Sequence, residues 1–266
     1  MGKREETQEK ILKMLRHYGR LTVGNIVSVL NVSEATVRRH FADLEQQGAL
    51  LRVHGGVRLP VAADANEYLF QREAASRVRE KRAIGQAAAN LIADRDRIFF
   101  DSGTTVLECG HRLSTRLEES ELSDVSVVTN SLVYGDSLAL QCPVVLTGGT
   151  IRPKRMDLCG IVALNNLERY NFTKAVLGAD GIADDGALTT TDEETSLLAA
   201  AAVAHSQAVL ILADGSKLGR SSFVPYGALQ GEKFTLITDN QADPAVLENL
   251  RKLGINIILA DPAKTK

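Results

Sequence analysis

Five short stretches of this 266-residue chain carry side chains suited to binding a small polar molecule. Asp101-Ser102-Gly103-Thr104-Thr105 sets a carboxylate, three hydroxyls and a glycine directly after the apolar run ending Phe99-Phe100. Glycine lets the backbone approach a ligand, and the free N–H groups of a helix start favour an anion. The stretch is a candidate phosphate cradle, although it lacks the lysine of a Walker P-loop. Thr129-Asn130, Gly148-Gly149-Thr150, Gly178-Ala179-Asp180-Gly181 and Asp214-Gly215-Ser216-Lys217 each follow another apolar run. Asn130 and Asp180 suit sugar hydroxyls, and Lys217 suits an anion. Each stretch alone also reads as an ordinary turn. Together they describe a pocket for a phosphorylated polyol, with Asp101, Ser102, Gly103, Thr104, Thr105, Thr129, Asn130, Gly148, Gly149, Asp180, Gly181 and Lys217 as the expected effector set.

Catalysis is a weaker reading of the same residues. Asp180, Glu193 and Glu194 are candidate bases and Lys217 a candidate electrostatic partner for isomerisation. Glu193-Glu194 at a helix start would equally complement the helix dipole. There is no Ser-His-Asp set and no cluster with metal-ligand spacing; His111 and His205 stand alone. No catalytic residue, metal or cofactor is expected beyond a small-molecule effector.

A second chemistry lies near the N-terminus. From Ser33 to Gln47 the chain reads as a helix with Ser33 as N-cap and Gly48 at its end. Val37, Phe41 and Leu44 form one apolar stripe at i, i+4 and i+7. Thr36, Arg38, Arg39 and His40 are expected to point elsewhere, as hydrogen-bond donors for DNA in the manner of a recognition helix. Arg52, His54 and Arg58 follow in two short apolar segments around Gly55-Gly56, which read as a β-hairpin. With Thr22 and Ser33 as helix caps near the surface, the expected DNA-binding set is Thr22, Ser33, Thr36, Arg38, Arg39, His40, Arg52 and His54.

The elements that would position these residues follow from periodicity. Residues 5–17 pattern as an amphipathic helix ended by Gly19, and Val23–Leu30 as a short one capped by Thr22. With Ser33–Gln47 and the hairpin they make a winged helix-turn-helix. A helix is expected over Arg77–Ala93. Beyond it, apolar runs at Arg97–Phe100, Val125–Thr129, Pro143–Thr147, Ala175–Leu177, Ala208–Leu212, Phe234–Thr238 and Ile255–Leu259 read as buried strands. Helical segments at Val106–Leu117, Glu193–His205 and Pro244–Leu253 alternate with them. That alternation predicts an α/β domain with a mostly parallel sheet, whose ligands would sit beyond the carboxyl ends of the strands.

Composition agrees with a globular protein, at 44% hydrophobic and 24% charged residues. The net charge of −2 is unevenly spread: residues 1–60 hold ten Lys/Arg and six acids, +4, and the remainder 21 and 27, −6. A basic head on an acidic body suits a nucleic-acid-binding head. Cys109, Cys142 and Cys159 show no paired spacing, and the N-terminus lacks a signal-peptide core. No apolar run reaches the roughly 18 residues a membrane span needs. A cytoplasmic protein with no membrane partner is expected.

Taken in order, these motifs resemble the DeoR family of bacterial transcriptional regulators along almost the whole chain. The head is similar through Leu21–His40 and the following Leu-Arg-Val-His-Gly-Gly-Val. The body is similar through Asp-Ser-Gly-Thr-Thr at 101–105, Thr-Asn at 129–130, Gly-Gly at 148–149, Gly-Ala-Asp-Gly-Ile at 178–182, Ala-Asp-Gly-Ser-Lys at 213–217 and Thr-Asp at 238–239. The recognition helix departs from the family's usual Thr-Ile-Arg-Arg-Asp-Leu by reading Thr36-Val37-Arg38-Arg39-His40-Phe41, with His40 in place of an acid. The resemblance implies a DNA-binding domain over 3–58, a linker over 59–76 and an effector-binding domain over 77–262 related in fold to ribose-5-phosphate isomerase. It further implies a repressor of a carbohydrate-use operon, a double-stranded DNA operator, a sugar-phosphate effector and a homodimer or homotetramer. The alternative is an isomerase-like enzyme carrying a DNA-binding head.

Overall fold

The computed structural model of the chain describes residues 7–8, 10–12, 14–15, 20–30, 32–46, 50–53, 56–58, 69–134 and 137–264. The expected C-terminal glycines of two head helices, Gly19 and Gly48, the turn residue Gly55, and His54 lie outside the described residues. The chain divides into two compact units, residues 1–67 and 68–266.

In the first unit the described residues between 7 and 15 are helical (α1). They are followed by β1 (Arg20–Leu21), α2 (Val23–Leu30), α3 (Glu34–Gln46), β2 (Leu51–Val53) and β3 (Gly56–Arg58). Ile11, Leu15, Leu21, Ile26, Val37, Phe41, Leu44, Leu50 and Val57 bury a common core. The predicted stripe of α3 thus faces inward. The hairpin β2–β3 carries a third, antiparallel strand, in the order β1-β3-β2. β1 is only two residues long, too short for an alternation pattern, and was not predictable from periodicity. Gly56 makes the pairing possible: a Cβ there would lie 2.2 Å from the Leu21 carbonyl oxygen.

The second unit opens with α4 (Phe70–Ala74) and α5 (Val78–Ala89). A parallel sheet follows, with seven strands in the order β6-β5-β4-β9-β12-β14-β15. They are β4 (Arg97–Phe100), β5 (Ser126–Thr129), β6 (Val144–Leu146), β9 (Phe172–Gly178), β12 (Ser206–Leu212), β14 (Phe234–Asp239) and β15 (Asn256–Ala260). All seven coincide with predicted apolar runs; the inner strands, covered on both faces, lose alternation, while the edge strands β6 and β15 leave Val145, Leu146 and Leu259 partly exposed. Successive side chains still diverge. Ile98 and Phe100 join the layer made by Ile84 and Ala88 of α5 and Val106, Cys109 and Leu113 of α6 (Thr104–Glu118). Phe99 joins the opposite layer, made by α7 (Ile161–Leu167), α8 (Glu193–Ala204) and α9 (Pro244–Arg251).

Two features depart from expectation. The segment 143–167 contains an antiparallel hairpin, β7 (Thr150–Arg152) with β8 (Asp157–Cys159), and then α7. A small antiparallel sheet joins β10 (Gly181–Ile182), β11 (Ala187–Thr190) and β13 (Val224–Ala228). Of the expected linker, residues 59–68 lie outside the described residues, and Phe70–Ala74 is a helix whose Phe70 is buried. Among the described residues no helix is long and apolar enough to cross a membrane.

Candidate functional site

The strand order turns around between β4 and β9: connections from β4 run to β5 and β6 on one side, and later strands add on the other. Such a switch point leaves a crevice beyond the strands' carboxyl ends. Here it is lined by Asp101, Ser102, Gly103, Thr104 and Thr105 after β4, and by Gly178, Ala179 and Asp180 after β9. Ala213, Asp214 and Lys217 after β12 complete this wall. Gly103 is the extended N-cap residue of α6 (φ −61°, ψ 144°), so the first turn of a 15-residue helix starts at the crevice. The N–H groups of a first helical turn have no partner within the helix.

Seven expected effector residues therefore converge: Asp101, Ser102, Gly103, Thr104, Thr105, Asp180 and Lys217. The other five stand outside the lining. The Thr129 hydroxyl accepts from Ser131 N at 3.0 Å, and the Asn130 backbone carbonyl accepts from Leu158 N at 2.8 Å, which ties the end of β5 to the hairpin. Gly148 and Gly149 have φ of 72° and 109°, and a Cβ on Gly149 would sit 2.4 Å from the Cys159 carbonyl oxygen. Gly181 passes equally close to Arg220 and Thr189. In the structure these five residues are engaged in the path of the chain around the crevice rather than in its lining.

The lining also contains Glu73, Lys81, Arg155, Thr190 and Thr195, which periodicity does not single out. Arg155 belongs to a buried ionic network behind the crevice floor. Asp157, fully buried, accepts both Nε (2.8 Å) and Nη2 (2.6 Å) of Arg152 and the Ser102 hydroxyl at 3.2 Å. Arg152 Nη1 donates to Asp192 at 2.7 Å, and Arg155 Nη1 pairs with the same carboxylate at 3.1 Å. Asp192 in turn caps α8 by accepting from Thr195 N at 3.0 Å. Burial opposes the Asp192 charge, but the Thr195 N–H and the two arginines outweigh it and hold its carboxyl below the usual range. Asp180 accepts from the Thr190 hydroxyl and the Thr191 N–H, each at 3.0 Å. Asp101 accepts from Gly178 N at 3.3 Å. Burial, with Asp157 nearby, pushes the Asp101 carboxyl up.

Lys81 is 4% exposed. Its ammonium donates to the backbone carbonyl of Glu73, and it makes no ion pair among the described residues. Burial pulls its pKa down. Lys217 lies 3.9 Å from the Glu73 carboxylate, and Arg77 3.4 Å from Asp214. Among the described residues no group of three His, Cys, Asp or Glu side chains is placed to hold a metal ion.

In the head, Thr36 N donates to the Ser33 hydroxyl at 3.2 Å, the cap expected from the sequence. Thr22 and Asn25 bond reciprocally, with Asn25 N to the Thr22 hydroxyl at 3.2 Å and Thr22 N to Asn25 Oδ1 at 2.8 Å. Arg38 and Arg39 are exposed on α3, and Arg38 pairs with Glu34 one turn earlier at 3.5 Å. Arg52 of the wing reaches Glu45 at 3.0 Å and the Arg38 carbonyl at 3.4 Å. Thr22, Arg38 and Arg52 border one shallow concavity. His40 contradicts the expectation: it is buried, at 3% exposure. Three residues after Val37 and four before Leu44, it falls on the apolar stripe, and its position outweighs its polar type. It offers DNA no side chain.

Comparison with known proteins agrees with this geometry. The model of the DeoR-like helix-turn-helix domain matches residues 8–62, and that of the DeoR C terminal sensor domain matches residues 76–240. The chain is 33% identical to the HTH-type transcriptional repressor GlcR of Bacillus subtilis, over 98% of each chain. It is 32% identical to the lactose phosphotransferase system repressor of Staphylococcus epidermidis, over 87% of this chain and 90% of that one. Among solved structures, ribose 5-phosphate isomerase from Plasmodium falciparum aligns with 52% of this chain and 51% of its own, at 16% identity and a TM-score of 0.39, too slight a likeness to support an argument. The chain belongs to the DeoR family. It is a DNA-binding transcriptional regulator rather than an enzyme, which removes the isomerase alternative.

Proposed function

We propose that the protein represses carbohydrate-use genes by binding a double-stranded operator through α3, and that a phosphorylated sugar in the crevice controls this binding. The observation that carries the effector reading is the convergence at one topological switch point of a helix start rich in hydroxyls with Lys217 and Arg155. The first-turn N–H groups of α6 and the hydroxyls of Ser102, Thr104 and Thr105 would receive the phosphate. Asp101 and Asp180 would accept from sugar hydroxyls. Repression is supported by the names of the two relatives, both repressors.

On the DNA side, Arg38 and Arg39 would reach base edges or phosphates in the major groove. Arg52 would reach phosphate from the wing, with the exposed Thr22 and Ser33 beside it. A homodimer or homotetramer presenting two heads would match a pair of half-sites, and the cytoplasm, where the operator lies, is its place of action. The test is twofold. A thermal-shift screen of the full chain against sugar phosphates should find at least one stabilising ester. Arg38→Ala combined with Arg39→Ala should abolish a gel shift on the gene's own upstream DNA while leaving that thermal shift intact. A double variant that still binds DNA as the parent does would refute the role of α3.

A further inference from the structure

We propose that Lys81 is a ligand-contacting cation of the crevice, and that the ligand's anionic group takes its ammonium from the Glu73 carbonyl and thereby loosens helix α4. The inference rests on the reading of the crevice as the effector site and adds to it a residue and a consequence.

A buried ammonium is costly unless an anion or several hydrogen bonds compensate it. Lys81 is 4% exposed, its ammonium makes a single described hydrogen bond, to a neutral carbonyl, and it lines the same crevice as Ser102–Thr105. Among the described residues no carboxylate lies within ion-pair distance of this ammonium; Glu73, Asp214 and Glu108 act on it only from further off. An anion entering the crevice would supply a counter-charge in direct contact.

The cost of that exchange falls on α4. This five-residue helix buries only Phe70 and is tethered by Phe70 N to the Lys154 carbonyl at 2.9 Å, by the Lys81 bond, and by Glu73 to Lys217 at 3.9 Å. Two of its tethers thus run to the cations that an anionic ligand would claim. The turn from α4 into α5 passes through Arg77 in the left-handed region, φ 50° and ψ 42°, a conformation a non-glycine side chain holds only under constraint from its surroundings. Here the constraint includes the Arg77–Asp214 pair at the crevice wall.

The experiment uses the full chain and inorganic phosphate as probe. Calorimetric titration gives the affinity, and hydrogen exchange reports the amides of Phe70–Ala74. The parent is expected to bind phosphate and to exchange faster over Phe70–Ala74 when phosphate is bound. Lys81→Met keeps the apolar stem and should lower phosphate affinity about tenfold or more, the scale of a lost charge-assisted hydrogen bond. Its urea midpoint, equal to or above the parent's, would show the variant folded. Equal phosphate affinity in parent and Lys81→Met overturns the role of Lys81 while leaving the effector site standing. Slower exchange over Phe70–Ala74 on binding overturns the loosening of α4. A parent that binds no phosphate overturns the crevice reading and this inference together.

Discussion

Asp101 shows what the crevice does to a single side chain. Burial and the neighbouring Asp157 raise its carboxyl above the ordinary carboxylate range. The folded state then holds the proton more tightly than the unfolded chain. Its contribution to stability is complete below the unfolded value of about 3.9 and is lost as pH rises through the folded value. Asp101→Asn cannot ionise and can still accept from Gly178 N. It should therefore raise the urea midpoint at pH 7, with the gain shrinking towards pH 4; an unchanged or lower midpoint at pH 7 would contradict this. Such residues were legible because they directly follow apolar strands. Lys81, Arg155 and Asp157 were not, since a helix and a short hairpin bring them in from sequence-distant positions. His40 was misplaced for another reason: its polar type suggested the outer face of α3, whereas its spacing from Val37 and Leu44 puts it inside.

Among the elements, α5 and α6 make the closest demand on sequence. A Cβ on Gly85 would lie 2.6 Å from the Glu108 carbonyl carbon, so the two helices meet backbone to backbone. Gly85→Val should force them apart and cost about 1–3 kcal/mol, as overpacking does. Urea unfolding followed by circular dichroism would measure it, and an unchanged midpoint would show that the interface gives way freely. The displaced helix carries Lys81, and its partner opens the crevice. The long elements of this layer were readable from periodicity. The strands β7, β8, β10 and β11 are two to four residues long and antiparallel, and such lengths carry no usable alternation. Those short strands place Asp157 against Ser102 and Thr190 against Asp180, which is why these two supporting residues were not legible in the sequence.

In the molecule as a whole, the proposed DNA-binding and ligand-binding roles fall to different compact units, residues 1–67 and 68–266. Control then requires that the ligand prefer one of two arrangements of the full chain, since only a difference in affinity between states can shift their populations. The most direct measurement is fluorescence anisotropy of the full chain on a labelled fragment from upstream of its own gene. It would be titrated with and without a saturating amount of the sugar phosphate found by thermal shift. Ligand-controlled repression predicts tight binding without the ester and affinity at least about fivefold weaker with it, the lower end of typical allosteric coupling. Equal operator affinity with and without the bound ester would contradict it.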